Sequence, residues 1–267
     1  MTKFITSSQN ILIKRVLRLL EKPKAREEEN CIIIEGLREV TLSIQAGFRI
    51  SSLLFCQEIL RNFSIDGLGI HMGTDVEFVE VTKDIYNRMA HRKDNGGVIA
   101  LAEPKRIGFP DLILRPVPLL LVIESVEKPG NLGALLRTAD AANLDAVIIC
   151  DPQTDIYNPN AIRSSIGCVF TLPVVTATKE ETLRFLRDRK IRSFGTALTA
   201  TQLYHQIDFC QPAAILMGTE ATGLSDTFIE GADVLIKIPM MGKIDSMNVS
   251  ASAAIVIFEA LRQRNFQ

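Results

Sequence analysis

Six near-continuous apolar runs recur through the second half of the chain: Leu119–Ile123, Ala146–Ile149, Phe170–Val175, Arg192–Ala197, Ala213–Gly218 and Val234–Ile238. Helical stretches separate them. A strand with one wet face alternates apolar and polar residues, whereas a run that is apolar throughout is buried on both faces. Such strands, alternating with helices, fold as a parallel sheet covered on each side. The expected architecture is therefore α/β. A last helix over Val249–Arg264, apolar and small along one side, closes the chain.

The first hundred residues have a different texture. Ile11, Ile13, Val16, Leu17, Leu19 and Leu20 form one side of a helix, with Ser7 and Ser8 as cap candidates. Lys14, Arg15, Arg18 and Lys22 decorate that helix, and Lys24 and Arg26 follow Pro23. Strand-like runs at Cys31–Glu35, Ile50–Cys56, Val76–Val81 and Gly97–Ala102 flank a second helix over Leu37–Ala46. Proline-rich chain from Glu103 to Pro110, then Pro116 and Pro118, reads as a linker. The expected division is a small α/β domain over 1–105, a linker over 106–116 and a larger domain over 117–267.

Composition excludes several classes. The 267 residues carry 30 basic and 31 acidic side chains, a net charge of −1, without the strong basic excess that marks many nucleic-acid-binding domains. The halves differ mildly: net +2 over 1–108 and −3 over the rest. The longest apolar run, Val117–Ile123, is too short to span a bilayer, and the N-terminus lacks the apolar core of a signal peptide. Five scattered cysteines without a C-x-x-C pair indicate a reduced, cytoplasmic protein. His71, His91 and His205 have no metal-ligand spacing, so no metal is expected.

Ligands of parallel α/β domains bind at the carboxyl ends of the strands, and three unusual segments follow strands here. In the first, Asn131 can cap a helix carrying Gly133, Arg137 and Thr138; Arg137 reads equally as an anion contact or as a solvated surface ion pair. In the second, a buried strand ends at Gly218, and Glu220 and Gly223 follow; close backbone approach to a ligand and an ordinary strand–helix turn both fit. In the third, Ile238, Met240, Met241 and Met247 make an unusually apolar loop before Ser246 and Asn248, either of which can cap the last helix. An apolar loop needs a ligand or a partner to cover it.

Together these segments read N-x-G-x-x-x-R-T-A at Asn131–Ala139, G-x-E-x-x-G-L at Gly218–Leu224 and I-P-M-x-G-x-x-x-S-x-N-V-S at Ile238–Ser250. In order, spacing and position they resemble the three motifs of the SpoU (TrmH-like) RNA ribose methyltransferases of the SPOUT superfamily. The resemblance covers about residues 115–265. Ser7–Asn10, Ile13-Lys14 and Ile34-Glu35-Gly36 are similar to the ribosomal-protein-like substrate-binding domain that many members carry. Met247 stands where leucine is usual, Asn143 where glycine is common and Glu127 where aspartate often precedes the Pro-x-Asn.

The resemblance implies an S-adenosyl-L-methionine-dependent 2′-O-methyltransferase with a deep trefoil knot, forming homodimers through the C-terminal domain. It makes Asn131, Arg137, Glu220, Ser246 and Asn248 the catalytic set. Thr196, Ala197, Gly218, Ile238, Met240 and Met247 would line the cofactor. Lys14, Arg15, Arg18, Lys22 and Arg163 would contact RNA, with Arg163 placed near the catalytic segments; the residues alone also allow the first cluster to be a solvated helix face balanced by Glu27–Glu29. A separate substrate domain favours large-subunit rRNA over tRNA. Two rivals remain in view. A non-catalytic RNA-binding protein could keep the fold, and a nicotinamide enzyme would need a G-x-G-x-x-G that Gly67-Leu-Gly69 does not supply.

Overall fold

Asn10, rather than Ser7 or Ser8, caps the first helix of the computed structural model, which describes residues 2–60, 76–90 and 96–266. Its Oδ1 accepts the Leu12 N–H at 2.9 Å, satisfying one of the donors left open at a helix start. His71, His91 and Gly67-Leu-Gly69 lie outside the described residues. The chain sorts into two units: Met1–Lys105 with Tyr157–Thr171, and Arg106–Ile156 with Leu172–Gln267. Residues 157–171 thus belong with the first unit, where the sequence expectation is one domain unbroken from 117 to 267.

In the first unit, β1 (Lys3–Ile5) precedes α1 (Ile11–Glu21) and α2 (Pro23–Glu28). Then come β2 (Ile32–Glu35), α3 (Leu37–Gln45), β3 (Ile50–Phe55), α4 (Gln57–Leu60), β4 (Glu77–Val81), α5 (Lys83–Met89) and β5 (Val98–Ala102). The sheet order is β1-β4-β3-β5-β2, with β5 antiparallel to both neighbours. The apolar side of α1, Ile13, Val16 and Leu19, is fully buried in a core with Ile33, Leu54, Val79 and Ile99. Gly36, at φ 109°, turns β2 into α3 through backbone space that only glycine occupies freely.

The second unit opens with β6 (Leu119–Glu124), α6 (Pro129–Ala141) and β7 (Ala146–Cys150). The chain then gives α7 (Pro159–Ser164) and α8 (Cys168–Thr171) to the first unit. There the Phe48 ring lies edge-on to Tyr157 and Phe170, with centroids 5.8 and 5.0 Å apart. The run Phe170–Val175, expected as one strand, is split: Phe170 ends in α8 and the strand begins at Val174. Pro173, which cannot donate to a ladder, marks the break.

Back in the second unit follow β8 (Val174–Ala177), α9 (Lys179–Asp188), β9 (Arg192–Thr196), β10 (Gln202–Leu203), β11 (Ala213–Met217), α10 (Asp226–Gly231), β12 (Val234–Lys237) and α11 (Val249–Gln263). The seven strands are parallel throughout, in the order β10-β12-β9-β11-β6-β7-β8. Every residue of β6, β7 and β11 is buried. Leu120, Val122, Ile148 and Leu216 pack on Leu183 and Leu186 of α9 and Phe228 of α10, while α11 packs on α6 and β11.

The stretch expected as a linker is packed. Ile107 bridges Val175, Phe109 stacks on Phe185 with centroids 4.3 Å apart, and Leu112 is buried. It covers part of the edge strand β8, whose backbone groups would otherwise stand open.

At the starts of β6 and β7, Asp145 ties the entry of β6 to the end of α6. Its Oδ1 accepts the Arg115 N–H and Nε at 2.9 and 3.0 Å, and its Oδ2 accepts Arg115 Nη2 and the Leu119 N–H, both at 2.8 Å. Burial alone would raise the Asp145 carboxyl, but the Arg115 guanidinium and these donors hold it below the usual aspartate range. A depressed folded-state value means the contribution is complete above the unfolded value of about 3.9 and fades as pH falls towards the folded one. Asp145→Ala should cost about 2 kcal/mol at neutral pH, since Arg115 is half exposed and can rehydrate. Urea denaturation at pH 7 and pH 3 checks this: the gap between variant and parent must narrow in acid.

Candidate functional site

Four neighbouring strands, β12, β9, β11 and β6, end side by side, so Ile238, Ala197, Gly218 and Glu124 stand at one edge of the sheet. Hydrogen bonds lock these exits together. Thr196 Oγ1 donates to the Leu216 carbonyl at 2.9 Å, and the Ala197 N–H donates to the Ile236 carbonyl at 3.0 Å. The Ala197 carbonyl in turn accepts the Ala200 N–H, so both backbone groups of Ala197 are already engaged. Beyond β12, Ile238, Met240 and Met247 are half-buried, while Met241 and Ile244 are 94% and 69% exposed.

Gly218 is glycine because of its own chain. A Cβ there would lie 2.0 Å from the Gly223 carbonyl carbon and 2.2 Å from the Leu224 nitrogen. The intervening turn closes on itself: Thr219 and Gly223 exchange N–H···O bonds of 2.9 and 3.1 Å, and Gly223 has φ 73°. The close backbone approach read from sequence as room for a ligand is here made by the turn that carries Glu220.

Asn131, Glu220 and Asn248, one from each motif, come together. Asn131 Nδ2 donates to Glu220 Oε1, and Asn248 Nδ2 donates to Asn131 Oδ1 at 3.2 Å. Asn248 Oδ1 accepts the Ser250 N–H at 3.0 Å and so caps α11. That cap fixes which end of the Asn248 amide is oxygen, and the amide then fixes Asn131, so every donor points towards the Glu220 carboxylate. Asn131 is not the cap of α6 as the sequence suggests. The helix starts two residues earlier on Pro129, where a missing N–H costs nothing, with Lys128 as cap.

The other two expected catalytic residues stay outside this cluster. Ser246 is exposed and donates to its neighbour Asp245 at 3.1 Å. Arg137 is exposed and has no hydrogen-bond or ion-pair partner among the described residues. Six residues separate it from Asn131 on α6, which places the two side chains about 120° apart around the helix and about 9 Å apart along it.

Glu124, unmarked in the sequence reading, is buried at the end of β6. Its Oε2 accepts the Ser225 N–H at 2.8 Å, and its Oε1 pairs with Lys179 Nζ at 3.4 Å. Lys179 also pairs with Asp151 at 3.3 Å, the contact that leads in raising its pKa. The available signal was a carboxylate closing an otherwise apolar run. Next to it, burial pushes the Cys150 thiol up to about 12, so that sulfur is no nucleophile.

The expected RNA-binding cations are less open than their charges imply. Arg15 pairs with Glu29 at 2.6 Å and Arg18 pairs with the same carboxylate. Burial would raise Glu29, yet the two guanidinium groups hold it lowered. Arg26 is 3% exposed and donates to the Leu19 carbonyl, and Lys24 pairs with Glu28. Lys14 and Lys22 are exposed. Arg163 lies on α7 in the first unit, donating to Asn160 Oδ1 at 2.7 Å. Among the described residues no cluster of His, Cys, Asp and Glu is placed to hold a metal ion, and no helix is long and apolar enough to cross a membrane.

Comparison with known proteins matches residues 118–258 to the SpoU rRNA Methylase family and residues 10–100 to the MRM3-like substrate binding domain. The 23S rRNA (guanosine-2′-O-)-methyltransferase RlmB of Vibrio parahaemolyticus is 36% identical over 195 residues, covering 71% of this chain and 79% of that protein. The 23S rRNA (guanosine(2553)-2′-O)-methyltransferase RlmP of Bacillus subtilis is 27% identical over 96% of this chain and 98% of its own. The crystal structure of an AdoMet-bound rRNA methyltransferase from Sinorhizobium meliloti superposes with a TM-score of 0.87 at 28% identity, over 98% of each chain.

Proposed function

The chain belongs to the SpoU rRNA methylase family, and on that premise we propose that it moves a methyl group from S-adenosyl-L-methionine to a ribose 2′-hydroxyl of large-subunit rRNA in the cytoplasm. The observation that carries this is the convergence of Asn131, Glu220 and Asn248 at the strand exits. The neighbouring donor set fits the cofactor: Ile238, Met240 and Met247 are half-buried and apolar, as a wall against adenine must be. When bound, the cofactor supplies an activated methyl carbon.

The residues of this chain have the remaining tasks, to align the hydroxyl and to take its proton. Asn131 and Asn248 each keep one amide hydrogen beyond the bonds described, and Glu220 keeps its second oxygen. Two donors and one anionic acceptor at one point can hold a ribose hydroxyl by its oxygen and its proton together. Thr196 and the Gly218 turn hold the strand exits on which this depends. Ser246 and Asn248 hold the loop on the cofactor side. A guanidinium stays protonated at ordinary pH, so Arg137 serves as a cation for the substrate phosphate and the developing alkoxide, with the proton passing to that phosphate or to Glu220. Arg137 stands apart from Asn131, which supports a site completed by Arg137 of a second copy in a homodimer. Lys14, Lys22 and Arg163 are the cations assigned to RNA, with Arg15 and Arg18 secondary because both pair with Glu29.

The trefoil threading belongs to the same reading. It is supported by β11 lying between β6 and β9, and by the chain after β12 returning to the start of α6 through Asn248. Incubating the protein with tritiated cofactor and undermethylated RNA, then mapping the product, tests the function. Label in a large-subunit rRNA ribose is expected. Label confined to tRNA, to a base, or to no RNA overturns it.

A further inference from the structure

The Glu124 carboxylate is 2% exposed at the end of a strand whose other residues are apolar. A buried carboxylate is costly unless paired and hydrogen-bonded, and its depth keeps it from touching a substrate. Both of its oxygens are used within the second unit. One accepts the Ser225 N–H at 2.8 Å, and the other meets Lys179 at 3.4 Å, itself tied to Asp151 at 3.3 Å.

Ser225 is the cap residue of α10 and closes the turn that opens at Gly218. Between them the chain bends through Gly223, closes on the Thr219–Gly223 pair and presents Glu220, exposed, to Asn131. The Gly218 end of this turn is set by continuity with β11. The Ser225 end is set by Glu124, reaching across from the neighbouring strand β6. A strand end and a turn 101 residues away in sequence are thus joined through one charged acceptor.

We infer that Glu124, held by Lys179, is a positioning residue that fixes the turn carrying Glu220 and thereby the point where Glu220 meets Asn131. The inference rests on the proposed methyl transfer for its consequence in turnover, though not for its consequence in the turn itself. Lys179 makes the acceptor affordable in the interior and, being anchored on Asp151, stops the carboxylate from rotating away from Ser225. A neutral amide at 124 could still accept the Ser225 N–H, whereas alanine could not.

The test uses the full chain as Glu124→Ala, Glu124→Gln and Lys179→Met, alone and with Glu220→Ala. Amide exchange and methyl transfer are measured on each. Glu124→Ala is expected to speed exchange across 219–225 about tenfold or more, and to lower kcat about tenfold with the RNA KM within about twofold. Glu124→Gln should recover most of both. Placed on Glu220→Ala, Glu124→Ala should cost less than about twofold more, because its effect runs through Glu220; a loss through general instability would add in full. Should Glu124→Ala fail to fold, Lys179→Met must show the same two changes in smaller measure. Unchanged exchange over 219–225, or full additivity with Glu220→Ala, overturns the inference. A parent protein that methylates no RNA overturns the proposed function instead, and the exchange result then decides the positioning on its own.

Discussion

Two inactive chains, Asn131→Ala and Arg137→Ala, are expected to recover about half the parent turnover when forced into one heterodimer, because with the proposed shared site one of its two sites then holds both side chains and the other neither. Each variant alone should lose about 100-fold or more in kcat, the scale of removing a donor or cation aimed at developing charge. The reason lies on α6. Asn131 points into the Glu220–Asn248 cluster, whereas Arg137, six residues on, is exposed and unpaired within the described residues. A helix turns through about 240° modulo a full circle in six residues, so Asn131 and Arg137 leave α6 in different directions. Coexpression with two affinity tags and tandem purification isolates the heterodimer, and tritiated methyl incorporation reads its activity. If Arg137 instead served its own chain's site, each site of the heterodimer would lack one residue and no activity would return. That result, or a protein that is monomeric at assay concentration, rejects the shared site.

What was legible in the sequence followed from local pattern. The parallel sheet could be read because β6, β7 and β11 are buried on both faces and therefore apolar at every position but Glu124. Three-residue β1 could not, because its existence depends on pairing with β4, some 75 residues away. The membership of 157–171 was equally closed to pattern reading: an apolar helical pair such as Ile162 and Phe170 does not say which core receives it. At the candidate site, the family resemblance named Asn131, Glu220 and Asn248, which the fold brings together, but not the directed amide chain through which the α11 cap orients them. Around α1 the sequence offered Glu27–Glu29 as the balance to the cations, but not which carboxylate does it: Glu29 alone pairs with both Arg18 and Arg15, 11 and 14 residues away. The net charge of −1 therefore overstates neither case; pairing, not the total, decides which cations reach a phosphate.

Gly218→Ala is expected to be severely damaging, costing about 3 kcal/mol or more of stability and about 100-fold or more of turnover. The added Cβ would meet the Gly223 carbonyl carbon at 2.0 Å, the Leu224 nitrogen at 2.2 Å and the Gly223 oxygen at 2.3 Å. All three are backbone atoms and none can rotate away, so the turn must open. Opening it breaks the Thr219–Gly223 pair, draws the Ser225 N–H from Glu124 and carries Glu220 away from Asn131. A glycine needed only to let the cofactor approach would behave otherwise: the alanine variant would melt like the parent and lose cofactor affinity alone. Urea denaturation and calorimetric cofactor titration of Gly218→Ala separate the two. Parent-like stability with weakened binding would transfer the constraint from the turn to the ligand, and with it the reason this strand must end on glycine.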